Sequence, residues 1–137
     1  MHKQMPVSRI MTREVITLHP EDSMNIVEET FAAKPFHHIP IADTHGHVVG
    51  MVSKTDLLQL SAIKKDLSDQ EYKFLKVKYF MTSNLVTVDT DTAIQRAAEL
   101  FYDNKFHALP VIENDRIVGI VTTHDLLKIA FDLIEVS

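Results

Sequence analysis

The chain has 137 residues, 45% hydrophobic and 24% charged, with a net charge of −5, eight histidines, three glycines and no cysteine. That length suits one domain or two small halves sharing a core, and the missing cysteines exclude a disulfide framework, a thiolate nucleophile and cysteine-ligated zinc. Gly46, Gly50 and Gly119 are too scattered for GxxxxGK[ST] or GxGxxG, and the mild acidity argues against a nucleic-acid partner.

Residues 1–11 carry His2, Lys3, Gln4 and Pro6 and hold no apolar signal core. No apolar run approaches the roughly 18 residues of a membrane span. A soluble, cytoplasmic protein without membrane contact is expected.

The predicted elements begin with the β-branched run Val15-Ile16-Thr17-Leu18, a strand. Glu21, Asp22 and Ser23 suit a helix N-terminus, and Ile26, Val27 and Phe31 follow at helical spacing. Two strands, at 39–42 and 48–52, flank a polar turn, and a second helix opens near Asp56. Residues 60–76 are polar, and Ser68-Asp69-Gln70-Glu71 fits a capping box, so a short connecting helix is expected there. The order then repeats. Leu85-Val86-Thr87-Val88 is a strand, and Ile94, Ala97, Ala98 and Phe101 mark a helix. Strands at 109–112 and 117–121 follow, and a last helix opens near Asp125. In that helix Asp125, Lys128, Asp132 and Glu135 form one narrow polar stripe, and the rest of 126–136 is apolar. So wide an apolar face exceeds what packing on one core needs and suits a symmetric partner subunit.

The repetition is residue by residue. A shift of 70 places sets Val7 on Val77, Met11-Thr12 on Met81-Thr82, Phe31 on Phe101, Phe36-His37 on Phe106-His107 and Pro40 on Pro110. After one extra residue in the first turn, Val49-Gly50 matches Val118-Gly119 and Asp56-Leu57-Leu58 matches Asp125-Leu126-Leu127. The chain is a tandem duplication of a βαββα unit.

The strand-to-helix junctions, Gly50-Met51-Val52-Ser53-Lys54-Thr55-Asp56 and Gly119-Ile120-Val121-Thr122-Thr123-His124-Asp125, carry the strongest chemical signal. Ser53 and Thr122 suit N-caps, and the aspartates suit the positive helix end. An aspartate also accepts two hydrogen bonds from a vicinal diol such as ribose, where a cap needs one acceptor. No nucleophile–base–orienter set occurs at a recognisable spacing, which argues against an enzyme. His45-Gly46-His47 sits in a polar turn, where solvated histidines are ordinary. Met11 and Met81 suit adaptable packing.

The doubled element order, the Met-Thr pairs, the Phe-His-x-φ-Pro segments and the Gly-x-x-[Ser/Thr]-x-x-Asp junctions resemble a tandem cystathionine-β-synthase (CBS) domain pair. The match covers residues 6–133, and the length and intervening helix resemble small stand-alone bacterial CBS proteins of the acetoin-utilisation type. The resemblance implies an α/β (α+β) fold of two βαββα repeats packed about a pseudo-twofold axis. Repeat 1 is then 7–61, the linker helix 62–76, and repeat 2 77–132, with a C-terminal helix to 136. It implies a regulatory module that requires no cofactor and takes AMP, ADP, ATP or S-adenosylmethionine as a regulatory ligand in clefts between the repeats. The expected partners are a second copy and an unidentified regulated protein. The alternatives are a ligand-free dimeric adaptor or interaction protein, and an S-adenosylmethionine sensor.

By the same resemblance one cleft combines Met51, Ser53 and Asp56 with Leu85, Val86, Phe106, His107 and Ala108. The other combines Ile120, Thr122 and Asp125 with Val15, Ile16, Phe36, His37 and His38. The position before the φ-Pro dipeptide is often a basic phosphate contact in the family. It is His38 in one repeat and Ala108 in the other, a departure that makes the Asp125 cleft the tighter expected nucleotide site. Imidazole titrates near ~6.5, so binding is expected to tighten as pH falls from about 8 to 6.

Overall fold

The computed structural model describes residues 3–104 and 106–131. After a 3-10 turn at Val7–Arg9 come helix α1 (Met24–Ala33), strands β1 (His38–Ala42) and β2 (Val48–Ser53), and helices α2 (Lys54–Lys64) and α3 (Asp69–Phe74). A second 3-10 turn, Val77–Tyr79, leads to β3 (Val88–Asp89), α4 (Ile94–Asn104), β4 (Ala108–Glu113), β5 (Arg116–Thr122) and α5 (Thr123–Ala130). The chain forms two compact units whose limits differ from those of the sequence repeats. One is Ile16–Leu85; the other joins Met1–Val15 to Val86–Ser137.

In the unit Ile16–Leu85, β1 and β2 form an antiparallel hairpin with Ile39 opposite Val52 and Ile41 opposite Gly50. Leu18 bridges Ile41 in parallel, the remnant of a third strand. Helix α1 buries Met24, Val27 and Phe31, spaced i, i+3, i+7 on one face. Ile26, expected on that face, is 39% exposed, because two residues from Met24 is more than half a turn around the helix. The helix ends at Lys34, held extended by the following Pro35. Ser68 and Glu71 form the expected capping box of α3, whose Tyr72 is buried. Val77 and Met81, from the start of the second repeat, join this core, and the fully buried Val77 is worth about 1.5–3 kcal/mol.

The other unit carries a three-stranded sheet in the order β3-β4-β5, with β3 parallel to β4 and β5 antiparallel to it. Helix α4 buries Ile94, Ala97, Leu100 and Phe101 against it. Here the arm from the first repeat completes the core: Val7, Ile10 and Met11 are buried in the same cluster as Val111 and Val121. Val7 donates its backbone N–H to Thr92 at 2.8 Å, and Ile94 donates to Met5 at 2.8 Å. Each repeat thus lends its opening segment to the other unit.

Two expected strands are corrected. Residues 13–17 and 83–87 have no ladder partner, and pairing begins only at Leu18 and Val88. Their β-branched residues signal shape, not the presence of a neighbour to pair with. Both stretches contain the points where the chain leaves one unit for the other.

The one-residue slip between repeats lies in the hairpin turns. Asn114 and Asp115 take φ of 52° and 63°, a two-residue turn between β4 and β5. The longer first turn uses Gly46 at φ 84° and is capped by Asp43, whose Oδ1 accepts from the His45 and His47 amides at 2.9 and 3.0 Å. The His47 amide chiefly holds the Asp43 carboxyl below its ordinary range.

Candidate functional site

β2 runs into α2 at Ser53, and β5 runs into α5 at Thr122, so hydroxyl and carboxylate meet at a helix start in both repeats. Ser53 Oγ accepts from the Asp56 amide at 3.0 Å, and Asp56 Oδ2 accepts from the Ser53 amide at 2.9 Å. Thr122 Oγ1 accepts from the Asp125 amide at 3.2 Å, and Asp125 Oδ2 accepts from the Thr122 amide at 2.9 Å. Both are capping boxes, as the cap reading requires. Each uses one carboxylate oxygen; among the described residues no donor reaches either Oδ1. A further donor pair therefore finds an acceptor already aimed and already stabilised by the helix N-terminus.

The two carboxylates differ in surroundings. Asp56 is half-buried; Asp125, at 5% exposure, is the one buried charged side chain among the described residues. It does not belong to a solvated stripe with Lys128, because its cap folds it back over the end of β5. Asp132 and Glu135 lie outside the described residues, as does the rest of the expected C-terminal helix from 132 to 136.

The strand register brings further expected residues to the same sheet ends. His38 pairs with Ser53, and the Lys54 amide donates to the His37 carbonyl at 2.9 Å. Ala108 pairs with Thr122, and the Thr123 amide donates to the His107 carbonyl at 3.2 Å. Phe36, His38 and Phe106 are half-buried, and His37 and His107 are exposed. Met51 and Ile120 are buried. Val15, Ile16, Leu85 and Val86 are half-buried in the stretches without ladder. Ile16, Phe36, His37, His38, Met51, Ser53, Asp56 and Leu85 lie in one unit; Val15, Val86, Phe106, His107, Ile120, Thr122 and Asp125 lie in the other. The register thus brings the Phe-His segment of each repeat to the helix start of the same repeat.

A cleft of about 150 Å³ opens beside Asp56, lined by Gln59, Leu60, Ile63 and Phe80. Gln59 and Phe80 escaped the sequence reading. The signal for the first was available: residues 59, 60 and 63 follow Asp56 at three, four and seven places, one helix face. Lys128 occupies the position of Gln59 in the second repeat. Phe80 had no such mark.

Among the described residues, no group of three or more His, Cys, Asp or Glu side chains is placed to hold a metal ion. His45 and His47 stand with ring centroids 6.1 Å apart on the exposed turn. No described helix is long and apolar enough to cross a membrane.

The CBS-domain family model matches residues 7–63 and 77–132, so the chain belongs to the CBS-domain family. The structure of CBSX2 in complex with AMP is 28% identical with a TM-score of 0.79, and the match covers 94% of this chain and 98% of that one. The Vibrio cholerae protein named for acetoin utilization, AcuB, is 27% identical with a TM-score of 0.79, covering 95% and 93%. The CBS pair of protein MJ0100, solved with 5′-methylthioadenosine and S-adenosyl-L-methionine, is 25% identical with a TM-score of 0.81, covering 94% and 98%. Protein MJ1404 of Methanocaldococcus jannaschii is 31% identical over 96% of this chain, which spans 33% of that relative's length. The mixed α and β architecture of two CBS repeats agrees with the fold that the sequence resemblance implied.

Proposed function

We propose that this chain is a regulatory ligand-sensing module for adenosine derivatives, without turnover of its own. The observation that carries this reading is the repeated capping box in which Asp56 and Asp125 each keep one carboxylate oxygen for another donor. The cap accounts for the hydroxyl and for Oδ2; a ribose diol accounts for the oxygen left over. CBSX2 with AMP and the MJ0100 pair with its methylthioadenosine and S-adenosylmethionine support the ligand class. AMP, ADP or ATP is the first choice for the Asp125 site because His38, the basic position before the φ-Pro dipeptide, is assigned to it by the family resemblance. S-adenosylmethionine, which carries no phosphate, suits a site supplied with Ala108.

The regulated output lies in association. Leu127 and Phe131 of the last helical segment are 52% and 69% exposed, and Leu58 and Ile63 on α2 are 69% and 46% exposed. These apolar side chains favour a homodimer or a regulated partner. A bound ligand shifts such association only by favouring one arrangement over another.

A melting panel with AMP, ADP, ATP, S-adenosylmethionine and NAD tests the reading, since a ligand at ~100 times its dissociation constant adds ~2.7 kcal/mol. Titration of Asp125→Asn and Asp56→Asn follows. Asparagine keeps an acceptor for the cap, so the loss reports on the ligand: at least about tenfold for one charge-assisted hydrogen bond of ~1.5 kcal/mol. A panel with no shift would leave the dimeric adaptor.

A further inference from the structure

Gly50 and Gly119 are buried in corresponding strands, and a side chain on either would force a methionine to move. A Cβ on Gly119 would stand 2.5 Å from Met11 Sδ and 3.1 Å from the Thr12 carbonyl oxygen; one on Gly50 would collide with Met81 Sδ and lie 2.7 Å from its Cγ. Gly46 alone of the glycines takes a positive φ. What crowds both positions is therefore the approach of a methionine, joined at 119 by the Thr12 carbonyl, and not the shape of the backbone.

The main chain is bound at the same places. Thr12 donates to Ile120 at 2.8 Å and accepts from it at 3.0 Å; Met51 and Thr82 exchange bonds of 2.9 Å each way. Two residues further along each strand come the hydroxyl of the cap, Thr122 or Ser53, and then the aspartate. We propose that Met11 is a positioning residue for the Asp125 site and Met81 for the Asp56 site. An unbranched thioether fills the groove over glycine and holds the two-way pairing in register. That register fixes where the strand ends and the cap begins. The arm of the first repeat thus sets the site of the second, and the reverse. The functional half of this proposal rests on the ligand reading of the two aspartates.

Amide hydrogen exchange on the full chain without ligand reads both caps at once. Met11→Ala is expected to speed exchange at the Thr122 and Asp125 amides about tenfold more than at Ser53 and Asp56, a local difference of about 1.4 kcal/mol. Met81→Ala gives the opposite pattern. Gly119→Ala loosens the Asp125 cap, and adding Met11→Ala to it slows exchange again in part, because the thioether is gone and only the Thr12 carbonyl oxygen, 3.1 Å away, still crowds the new methyl. Should Met11→Ala not fold, Met11→Leu keeps the volume, sets a branched carbon over Gly119 and gives the same pattern. Equal effects on both caps, or no rescue in the double variant, overturn the proposal.

AMP titration separates this from the ligand reading. With Asp56→Asn in place, Met11→Ala lowers AMP affinity about tenfold and Met81→Ala leaves it unchanged. Caps that loosen as expected while AMP affinity stays indifferent to both methionines overturn the positioning role. A wild-type chain that binds no ligand of the panel overturns the ligand reading, and reduces Met11 to a support for a helix cap.

Discussion

The Tyr72 hydroxyl donates to Glu28 Oε1 across 2.6 Å and ties the linker helix α3 to α1. Lys64 Nζ lies 3.4 Å from the same carboxylate oxygen and 4.5 Å from the centre of the Tyr72 ring. Burial, with the carboxylate beside it, pushes the phenol well above its ordinary ionisation range. Tyr72→Phe keeps the ring and deletes a hydrogen bond to a charged acceptor, so it is expected to cost about 1.5–3 kcal/mol. Lys64→Ala removes an exposed ion pair and is expected to cost less than about 1 kcal/mol. Denaturant unfolding of the two variants ranks them, and the reverse order would contradict the assignment of the bond.

Glu21 accepts from Lys78 Nζ at 2.7 Å and from Lys76 on its other oxygen. The Lys76 and Lys78 hydrogen bonds lower its carboxyl from 4.5 to about 2. A depressed carboxyl stabilises the folded chain above its unfolded value, and that stability drains away as pH falls from 4.5 to about 2. All three side chains are well exposed, so the effect is small and salt-sensitive. Glu21→Gln is expected to flatten the dependence of Tm on pH across that window, and about 1 M salt to do the same in the wild type. Melting curves between pH 2 and 7 check both.

The turns give a third expectation. Gly46 takes φ 84°, and alanine there is expected to lower stability by about 1 kcal/mol. Asp115 takes φ 63° without glycine's freedom. Asp115→Gly completes an Asn-Gly turn of the favoured two-residue type and is expected to raise Tm. Opposite signs for two changes involving glycine make this a test of backbone conformation and not of composition.

Periodicity and duplication made most of the fold legible. Val27 and Phe31, Ala97 and Phe101, the hairpins and the Ser68–Glu71 cap all stand where spacing and capping chemistry put them. The exchange of arms was not legible. Met11 and Met81 match each other in sequence, and nothing local says that each packs on the glycine of the other repeat. The same blindness affected 13–17 and 83–87, where β-branched residues face no partner strand. At the site the hydroxyl–aspartate spacing was informative because a capping box and a diol acceptor need the same residues. The burial of Asp125 was hidden, since a helical wheel counts it as one polar position among four. The missing glycine-rich loop removed only loop-cradled phosphate. Gly50 and Gly119 serve a methionine instead.

The two repeats differ at the position facing the cap hydroxyl, His38 opposite Ser53 and Ala108 opposite Thr122. A basic ring at this position favours phosphate, and a methyl group gives nothing to it. Adenosine and AMP share the base and ribose, so the ratio of their affinities isolates the phosphate. Ala108→His is expected to raise AMP affinity about tenfold and His38→Ala to lower it by a similar factor, with adenosine nearly unchanged in both. Repeating the His38→Ala titration over Asp56→Asn and over Asp125→Asn identifies the aspartate that shares the nucleotide with His38. The family resemblance assigns that nucleotide to Asp125, so the loss is expected with Asp56→Asn in place; a loss confined to the Asp125→Asn chain would instead assign His38 to the aspartate of its own repeat.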